Sequence, residues 1–453
     1  IHKWEATIAD VPTAFLQADA EKFKRTVFLK PPVKGAKVFP KSMAVKTGQI
    51  WKLLKAIYGL NDAPRLWYDS FCEAMLARGF TRAVVDPCIF YKHDQKGSLR
   101  GMAILHVDDV VFTGDKAFQS EMKELLGSYS VQDYKVIGTE PQDYVGLQVW
   151  RDSDYTYHAS QAKYAKQIEL ISVAKGRRVE ELLTSSDVTK ARSALGALAW
   201  MSSQTAPGLA IFVSGTVGRL AEPEKPTVRI LKEINTMILY IRDNIDDFVL
   251  TFSKIAEPGE TDFGIVVFCD ASWATMPGLR SQEGILVGIS PRKQIDQIIS
   301  ASAPNELRKA AYTCFDLLFS PLTWKSTRIR RVVRSTFAAE IMAVCTAVDE
   351  SIAAGSLMRE LLTGRIKRDE SLYTLVLCDA YSVVSNVNTS CPNMTEKRLT
   401  LDVRSIWDQI QSDSLCVRWI PTEYQMADPL TKVLPNHLMN RALKAGKVPV
   451  PIF

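Results

Sequence analysis

Two adjacent aspartates stand inside an otherwise apolar segment, and this pair limits what the chain can fold into. Residues 105–112 read Leu-His-Val-Asp-Asp-Val-Val-Phe, and their β-branched and aromatic side chains predict a buried β-hairpin. Burying two like charges is costly unless a cation compensates them. Asp108 and Asp109 therefore form either a polar hairpin turn, because Asp is a common turn residue, or a site for a divalent metal ion.

A third carboxylate upstream favours the metal site. In residues 7–16 a strand-like apolar run ends at Asp10, and an aromatic residue, Phe15, follows five positions later. A strand-end Asp beside a hairpin that carries two more can bind two Mg²⁺ ions, which stabilise the attacking and leaving oxygens of a phosphoryl transfer. The three aspartates therefore predict polymerase chemistry.

Length and composition describe an ordinary globular protein. The chain has 453 residues, of which 47% are hydrophobic and 23% charged, so several domains and little disorder are expected. We expect no signal peptide and no membrane partner, and hence an intracellular protein. The eight cysteines include no C-x-x-C pair, which argues against a zinc ribbon or dithiol chemistry. A net charge of +6 permits a polyanionic partner without requiring one.

Three consecutive stretches differ in their hydrophobic pattern. Short apolar runs separated by turns come first, a stretch of helical periodicity follows, and strand-like runs then return. These changes predict an α+β chain with domains at 1–152, 153–255 and 256–453. Within them we expect helices at 64–76, 161–171, 191–203, 226–243 and 337–351, strands at 88–91, 102–106, 264–270 and 374–379, and a linker at 221–226.

Four further acidic residues in the last third predict a second metal-binding cluster. Asp270 and Asp379 each end a predicted strand, Glu340 lies four residues inside a predicted helix, and Asp428 comes near the end of the chain. A single strand-end Asp is usually a helix cap or a turn residue. Together, behind a polymerase-like pattern, the four residues predict a convergent set of metal ligands.

Short motifs in a fixed order connect these residues to a known family. They are D-V-P-T-A-F-L at 10–16, K-A-I-Y-G-L-N-D-A-P-R-L-W-Y at 55–68, H-V-D-D at 106–109, S-Q-A-K-Y at 160–164, R-S-A-L-G at 192–196, D-A-S-W at 270–273, W-K-S at 324–326, S-T-F-A-A-E at 335–340 and A-D-P-L-T-K at 427–432. In this order they resemble the reverse transcriptase and ribonuclease H region of copia-type LTR retrotransposon polyproteins.

The resemblance implies a fold and an activity. The fold would be a polymerase palm with partial fingers, a helical thumb or connection, and an α/β ribonuclease H-like domain, in the three predicted domains. The activity would be RNA-directed DNA polymerisation with cleavage of RNA:DNA hybrids, using two Mg²⁺ or Mn²⁺ ions per active site. The implied partners are an RNA template, a DNA primer, their hybrid, deoxynucleoside triphosphates, and the integrase and capsid parts of the parent polyprotein. The implied location is a cytoplasmic virus-like particle or the nucleus.

The resemblance also assigns residues to roles. The metal-binding carboxylates would be Asp10, Asp108 and Asp109 for the polymerase and Asp270, Glu340, Asp379 and Asp428 for the nuclease. Phe15 would be the steric gate that rejects a 2′-hydroxyl, with a core aromatic as the alternative. The remaining substrate contacts would be Tyr58, Gly59, Pro64 and Arg65 at the nucleotide and template, and His106 and Gly146 at the primer.

Three departures from the family pattern qualify this interpretation. His106 stands where the family has Tyr, and its smaller, ionisable ring predicts weaker positioning of the primer end. Residues 291–323 are expected to be an extra or diverged loop. Much of the fingers is missing before Asp10, which predicts an N-terminally truncated fragment. The alternative hypothesis is an inactive remnant that binds nucleic acid or a partner without catalysis, although all seven carboxylates are present.

Overall fold

The computed structural model describes residues 3–31, 48–221, 226–256, 262–301, 313–365, 372–390, 396–433 and 437–452. They form two compact units: the first is Trp4–Val136, and the second comprises Ile137–Phe453 together with Ile1–Lys3. The predicted domain boundaries at 152 and 255 stay predictions.

The first unit is an antiparallel sheet covered by helices. Its strands are β1 Ala6–Asp10, β2 Phe28–Leu29, β3 Trp51–Lys52, β4 Thr81–Arg82, β5 Ile89–His93, β6 Leu99–His106, β7 Asp109–Gly114 and β8 Tyr134–Val136, and its helices are α1 Ala14–Gln17, α2 Ala63–Ala77 and α3 Lys116–Gly127. Six strands join in the order β4-β5-β6-β7-β1-β8. The predicted α+β architecture and the predicted helix at 64–76 are confirmed.

Helix α2 covers the sheet because its apolar residues recur at helical spacing. Trp67, Phe71 and Met75 are four residues apart and fully buried, and the Phe71 ring contacts Phe90 of β5 edge-on at 6.1 Å between ring centres. Burying such rings contributes about 2 kcal/mol each. This packing holds the sheet from which the β6–β7 turn projects.

The second unit contains three sheets and the longer helices. Its strands are β9 Gln142–Tyr144, β10 Leu147–Arg151, β11 Tyr157–Ser160, β12 Val249–Phe252, β13 Phe263–Met276, β14 Arg280–Pro291, β15 Thr313–Leu318, β16 Ser320–Arg328, β17 Thr374–Cys378, β18 Leu415–Trp419 and β19 Lys447–Ile452. Its helices are α4 Ala162–Gln167, α5 Ser185–Gln204, α6 Ala210–Leu220, α7 Val228–Asp243, α8 Arg292–Ala301, α9 Thr336–Thr363, α10 Tyr381–Val387, α11 Lys397–Gln411, α12 Asp428–Thr431 and α13 His437–Ala445.

A mixed five-stranded sheet forms the centre of this unit. Its order is β16-β14-β13-β17-β18; the first three strands are antiparallel, and β17 and β18 run parallel to β13. On one face of the sheet, Val267 packs against α9. On the opposite face, Phe268 packs with residues of α8 and α13. Alternating side chains of one strand thus serve two cores, which confirms the predicted α/β architecture of this part of the chain.

Helix α9 meets the length and composition of a membrane-spanning helix. In this fold its buried residues, among them Ile341, Val344 and Val348, belong to the core formed with β13 and β14. The same helix carries Glu340 beside the sheet.

Two expectations from the sequence are wrong. Asp270 does not end its strand, because Ala271 and Ser272 still pair with β14 and the hairpin extends β13 to Met276. Residues 291–323 do not form a loop in their described part: α8 buries Ile295 and Ile298 on one face, and β15 pairs with β19. Strand β19 follows β15 by more than a hundred residues in the sequence, so this pairing cannot be predicted from local sequence patterns.

The structure contains the three helices predicted between residues 153 and 255, but their lengths differ from the predicted ones. Helices α5 and α7 confirm the predictions at 191–203 and 226–243, whereas α4 ends at Gln167 instead of continuing to 171. Most of the predicted linker at 221–226 lies outside the described residues.

Candidate active sites

The four acidic residues of the second unit converge from four elements. Asp270 lies within β13, Glu340 in the second turn of α9, Asp379 directly after β17, and Asp428 at the start of α12. Carboxylate oxygens of Asp270, Asp379 and Asp428 lie within 4.8 Å of one another, and Asp379 forms a second such group with Glu340 and Cys378. The structure therefore brings together all four residues that the sequence singled out for the nuclease.

The sheet and a helix cap explain this convergence. Strands β13 and β17 are parallel neighbours with Phe268 opposite Leu377, so Asp270 and Asp379 emerge close together two residues later. The side chain of Ser335 caps α9 by accepting a hydrogen bond of 3.1 Å from the Ala338 N–H. That cap sets the register in which Glu340 faces the sheet.

Burial disfavours the ionised forms of the carboxyl groups in this site. Asp270 is 1% exposed, and burial raises its pKa to about 7, with Lys432 opposing the rise and Asp428 adding to it. Burial likewise raises the pKa of Glu340 to about 10 and raises that of Asp379. Within the described part of the chain, Glu340 Oε2 is buried without a hydrogen-bond partner. Such a set of oxygen ligands fits a divalent cation such as Mg²⁺ or Mn²⁺.

Three residues that sequence reasoning missed hold these carboxylates in place. The Thr431 hydroxyl donates to Asp270, and the Thr422 hydroxyl donates to Asp379 Oδ2 at 2.8 Å. Lys432 Nζ lies 2.8 Å from Asp428 Oδ1 and 3.6 Å from Asp270 Oδ2. Thr431 and Lys432 belong to the A-D-P-L-T-K motif, which was the available signal for them, whereas nothing in the sequence pointed to Thr422.

Lys432 is the cation nearest to this cluster among the described ion pairs. Burial alone would lower its pKa, but the neighbouring carboxylates of Asp270 and Asp428 outweigh burial, so the pKa of Lys432 is raised. The ammonium group therefore stays charged and neutralises part of the site.

The three aspartates of the first unit meet at one end of its sheet. Asp10, the last residue of β1, is opposite Asp109, the first residue of β7, and Asp108 lies in the two-residue turn that joins β6 to β7. The Val11 N–H donates to the Asp108 carbonyl at 2.9 Å, and Trp67 Nε1 donates to the Val107 carbonyl at 2.5 Å. The predicted hairpin is confirmed, and its turn is tied to both β1 and α2.

This second acidic set is more open than the first. Asp10 is exposed, and Asp108 and Asp109 are half-buried. Burial raises the pKa of Asp109, and the charges of Asp108 and Asp10 raise it further. Among the residues that the structure describes, the three-ligand groups within 4.8 Å all belong to the second unit. The carboxylate oxygens of Asp10, Asp108 and Asp109 therefore do not all lie within 4.8 Å of one another, unlike those of the two groups in the second unit.

Two predicted substrate contacts of the first unit touch each other. The rings of Phe15 and Tyr58 are 4.7 Å apart between centres, with Phe15 half-buried and Tyr58 half-exposed at 51%. Phe15 thus also packs against the hydrophobic core, so both roles considered for it stay open.

The other predicted contacts lie at turns and helix ends. Gly59 has a φ of 92°, a backbone conformation that favours glycine. Pro64 lies in the first turn of α2, and Arg65 Nε is 2.8 and 2.9 Å from the carboxylate oxygens of Asp69. His106 is exposed at the end of β6. Gly146 forms the turn between β9 and β10, in the second unit. Their roles stay predictions.

Comparison with known proteins gives consistent relatives. Residues 1–174 match the family model described as reverse transcriptase (RNA-dependent DNA polymerase). The chain is 25% identical to the retrovirus-related Pol polyprotein from transposon TNT 1-94 of Nicotiana tabacum, over 94% of this chain and 30% of that protein. It is also 25% identical to the Pol polyprotein from transposon RE1 of Arabidopsis thaliana, over 89% of this chain and 25% of that one.

A solved protein structure also matches this chain. The foamy viral protease-reverse transcriptase dRH in complex with double-stranded DNA matches with a TM-score of 0.46 and 10% identity, over 92% of this chain and 57% of that one. The chain spans less than a third of the length of the curated relatives named above.

Proposed function

We propose that this chain, whose residues 1–174 match a reverse transcriptase family model and which is similar to Pol polyproteins from plant transposons, is an RNA-directed DNA polymerase joined to a nuclease that cleaves the RNA of RNA:DNA hybrids. The observation that carries the proposal is the convergence of Asp270, Glu340, Asp379 and Asp428 in the second unit. The meeting of three aspartates at one end of the first sheet supports the polymerase half.

In the nuclease half, the chain's own residues would fix the geometry of a hydrolytic site. Asp270, Asp379 and Asp428, with Glu340 beside them, would hold two Mg²⁺ or Mn²⁺ ions. When bound, such ions lower the pKa of water and stabilise the charge that develops on phosphate oxygens. The hydroxyls of Thr431 and Thr422 keep the Asp270 and Asp379 carboxylates in one orientation. Discrimination of RNA from DNA would rest on 2′-hydroxyls and groove shape.

In the polymerase half, Asp10 and Asp108 are proposed as direct metal ligands, with Asp109 completing the set. The turn that carries Asp108 is tied through Val11 and Trp67 to two neighbouring elements, so the carboxylates are held by backbone as well as by side chains. Preorganisation of this kind favours phosphoryl transfer because the ligands need not reorder during the reaction.

The proposed partners follow from this chemistry. They are an RNA template, a DNA primer, their hybrid and deoxynucleoside triphosphates, bound through phosphates and therefore sensitive to salt. We also propose the integrase and capsid parts of a parent polyprotein as partners, and a cytoplasmic particle or the nucleus as the location.

Paired assays on the chain and two variants test the proposal. Primer extension on an RNA template and cleavage of an RNA:DNA hybrid are measured with Mg²⁺. Asp109→Asn should lower only extension, and Asp270→Asn only cleavage, each by about two orders of magnitude or more. Asp243→Asn, at an exposed position in α7, is the control and should retain both activities.

Each activity has its own contrary result. Binding of the hybrid without extension or cleavage would support the inactive remnant instead and would overturn the enzyme proposal. Cleavage that persists in Asp270→Asn would overturn the assignment of the nuclease site, even if the wild-type chain is active.

A further inference from the structure

A cysteine thiol lies among the acidic residues of the second unit. Cys378, the last residue of β17, is fully buried and faces α9 together with Val376. Its Sγ and carboxylate oxygens of Glu340 and Asp379 lie within 4.8 Å of one another. This spacing allows the three atoms to bind one ion.

The hydrogen bonding of Cys378 differs from that of the cysteine beside it. Cys378 Sγ accepts a hydrogen bond from the Ala380 N–H at 3.4 Å, whereas Cys269 Sγ donates to the Leu377 carbonyl at 3.8 Å. Cys269 belongs to neither of the three-ligand groups found among the described residues. The Cys378 sulfur thus acts as an acceptor and the Cys269 thiol as a donor, so substituting the two cysteines in turn removes different contacts.

Glu340 supplies an independent sign that a ligand is missing. Its side chain is 6% exposed, and Oε2 has no hydrogen-bond partner among the described atoms. Leaving a buried carboxylate oxygen unpaired destabilises the folded state. Glu340 and Asp379 also line a cavity of about 520 Å³, together with Thr336, Phe337 and Tyr381. An ion could therefore approach these two side chains through the cavity.

We propose that Glu340, Cys378 and Asp379 form a binding site for a thiophilic divalent cation, of which Zn²⁺ is the biological example. Thiolate and carboxylate ligands select zinc over magnesium, and three protein ligands leave the fourth tetrahedral position open to water. On binding, the sulfur–hydrogen bond of Cys378 is replaced by a sulfur–metal bond, and the proton passes to solvent.

The site shares Asp379 with the oxygen-only group of Asp270 and Asp428. A zinc ion held by Cys378 would engage Glu340 and Asp379 and would withdraw both from a Mg²⁺-loaded arrangement. Zinc would therefore inhibit hybrid cleavage. This consequence rests on the proposed nuclease function, whereas the binding of the ion does not.

Cadmium titration tests the binding without relying on activity. The full chain, free of Mg²⁺ and nucleic acid, is titrated with Cd²⁺ while the ultraviolet thiolate-to-cadmium charge-transfer absorption is recorded. A saturable band should appear in the wild type and in Cys269→Ser, and should be lost in Cys378→Ser. Subtracting the Cys378→Ser titration removes the contribution of other thiols, such as the exposed Cys314.

A second variant separates loss of a ligand from loss of the fold. Glu340→Gln keeps the thiol but removes a charged ligand, so its Cd²⁺ affinity should fall about tenfold or more while the band at saturation is retained. Equal titrations for the wild type and Cys378→Ser would overturn the proposal, as would a band that is lost in Cys269→Ser.

Zinc inhibition is measured separately on hybrid cleavage. Cys378→Ser should raise the Zn²⁺ concentration for half inhibition about tenfold or more relative to Cys269→Ser. If the chain cleaves no hybrid, the nuclease proposal fails while the cadmium result still decides the metal site. Equal zinc sensitivity of the two variants would overturn the inhibitory role.

Discussion

Asp10 and Asp109 are directly opposite each other across the antiparallel strands β1 and β7. Like charges in this position destabilise a sheet, and the pKa of Asp109 is raised by its burial and by the charges of Asp108 and Asp10. We expect Asp109→Asn to increase the free energy of unfolding in metal-free buffer by about 0.5–1 kcal/mol, while it lowers primer extension by about two orders of magnitude or more. Urea denaturation with EDTA measures the stability.

The matched control for this variant is Asp115→Asn, in the same unit. Asp115 caps α3 by accepting from the Phe118 N–H at 2.7 Å and pairs with Arg100 at 2.9 Å. Its removal should lower stability by about 1–2 kcal/mol. A similar loss in Asp109→Asn would show that its carboxylate is not under repulsion.

We expect Lys432 to compete with a metal ion for the carboxylates of Asp270 and Asp428. Replacing it in Lys432→Gln should lower the melting temperature in EDTA, because Asp270 and Asp428 lose their cation. The same change should tighten Mg²⁺ binding about threefold to tenfold, since an ammonium group no longer repels the ion. Thermal shift against Mg²⁺ concentration measures both effects. Lys444→Gln, at an exposed pair with Asp247, should change neither, and weaker Mg²⁺ binding by Lys432→Gln would contradict the competition.

Gly284 leaves room for the helix that carries Asp428. It is opposite Asp270 in the β13–β14 pair, and a Cβ atom there would lie 2.7 Å from Leu430 Cβ and 2.9 Å from the Ala427 carbonyl oxygen. Gly284→Ala should therefore displace α12, lower hybrid cleavage about tenfold or more, and cost about 1–3 kcal/mol of stability.

Gly196→Ala is the control for this prediction. A Cβ atom at Gly196 meets nothing within 4 Å, and the residue lies in the interior of α5, where alanine is favoured by about 1 kcal/mol. This variant should be as stable as the wild type or more so. Unchanged cleavage by Gly284→Ala would show that α12 tolerates the shift.

The ring of Phe15 can be tested as a steric gate. Because Phe15 packs on Tyr58 at the edge of the core, Phe15→Ala should cost about 1–3 kcal/mol, less than the loss of a fully buried ring. If the ring excludes a 2′-hydroxyl, ribonucleotide incorporation relative to deoxynucleotide should rise about tenfold or more. Competitive primer extension measures the ratio. Tyr58→Phe keeps the ring contact and should leave the ratio unchanged, and an unaltered ratio in Phe15→Ala would leave only the packing role.

Acid should weaken the start of α5. Asp187 forms a capping box with Thr184, whose N–H and hydroxyl donate to its carboxylate at 2.9 and 2.8 Å. These bonds and Arg177 lower the pKa of Asp187 to about 2. Since this pKa lies below its unfolded value, the stabilisation is complete above about pH 4 and is lost as the pH falls toward about 2.

Asp187→Asn should therefore be less stable than the wild type by about 1–2 kcal/mol at pH 7. The difference should shrink toward zero as the pH falls below about 2, where the Asp187 carboxyl becomes protonated in the folded state too. Urea denaturation across this range measures it, and a difference that does not vary with pH would assign the effect to packing instead of charge.

Local patterns sufficed for the elements that carry most of the acidic residues. The apolar run before Asp10, the hairpin around Asp109 and the helix that holds Glu340 all follow from side-chain periodicity over ten to twenty residues, which acts within one element. Side-chain periodicity did not predict where β13 ends, because pairing with β14 extends that strand beyond Asp270. It also did not predict β15, whose partner β19 is distant in the sequence.

The sequence by itself determined which seven carboxylates to consider, since their order within short motifs is a property of the chain alone. Only the tertiary structure decided what surrounds them. Lys432, Thr422 and Cys378 become neighbours of these carboxylates through strand register and helix packing. Their effects on charge depend on distance and burial, and distance and burial exist only once the chain has folded.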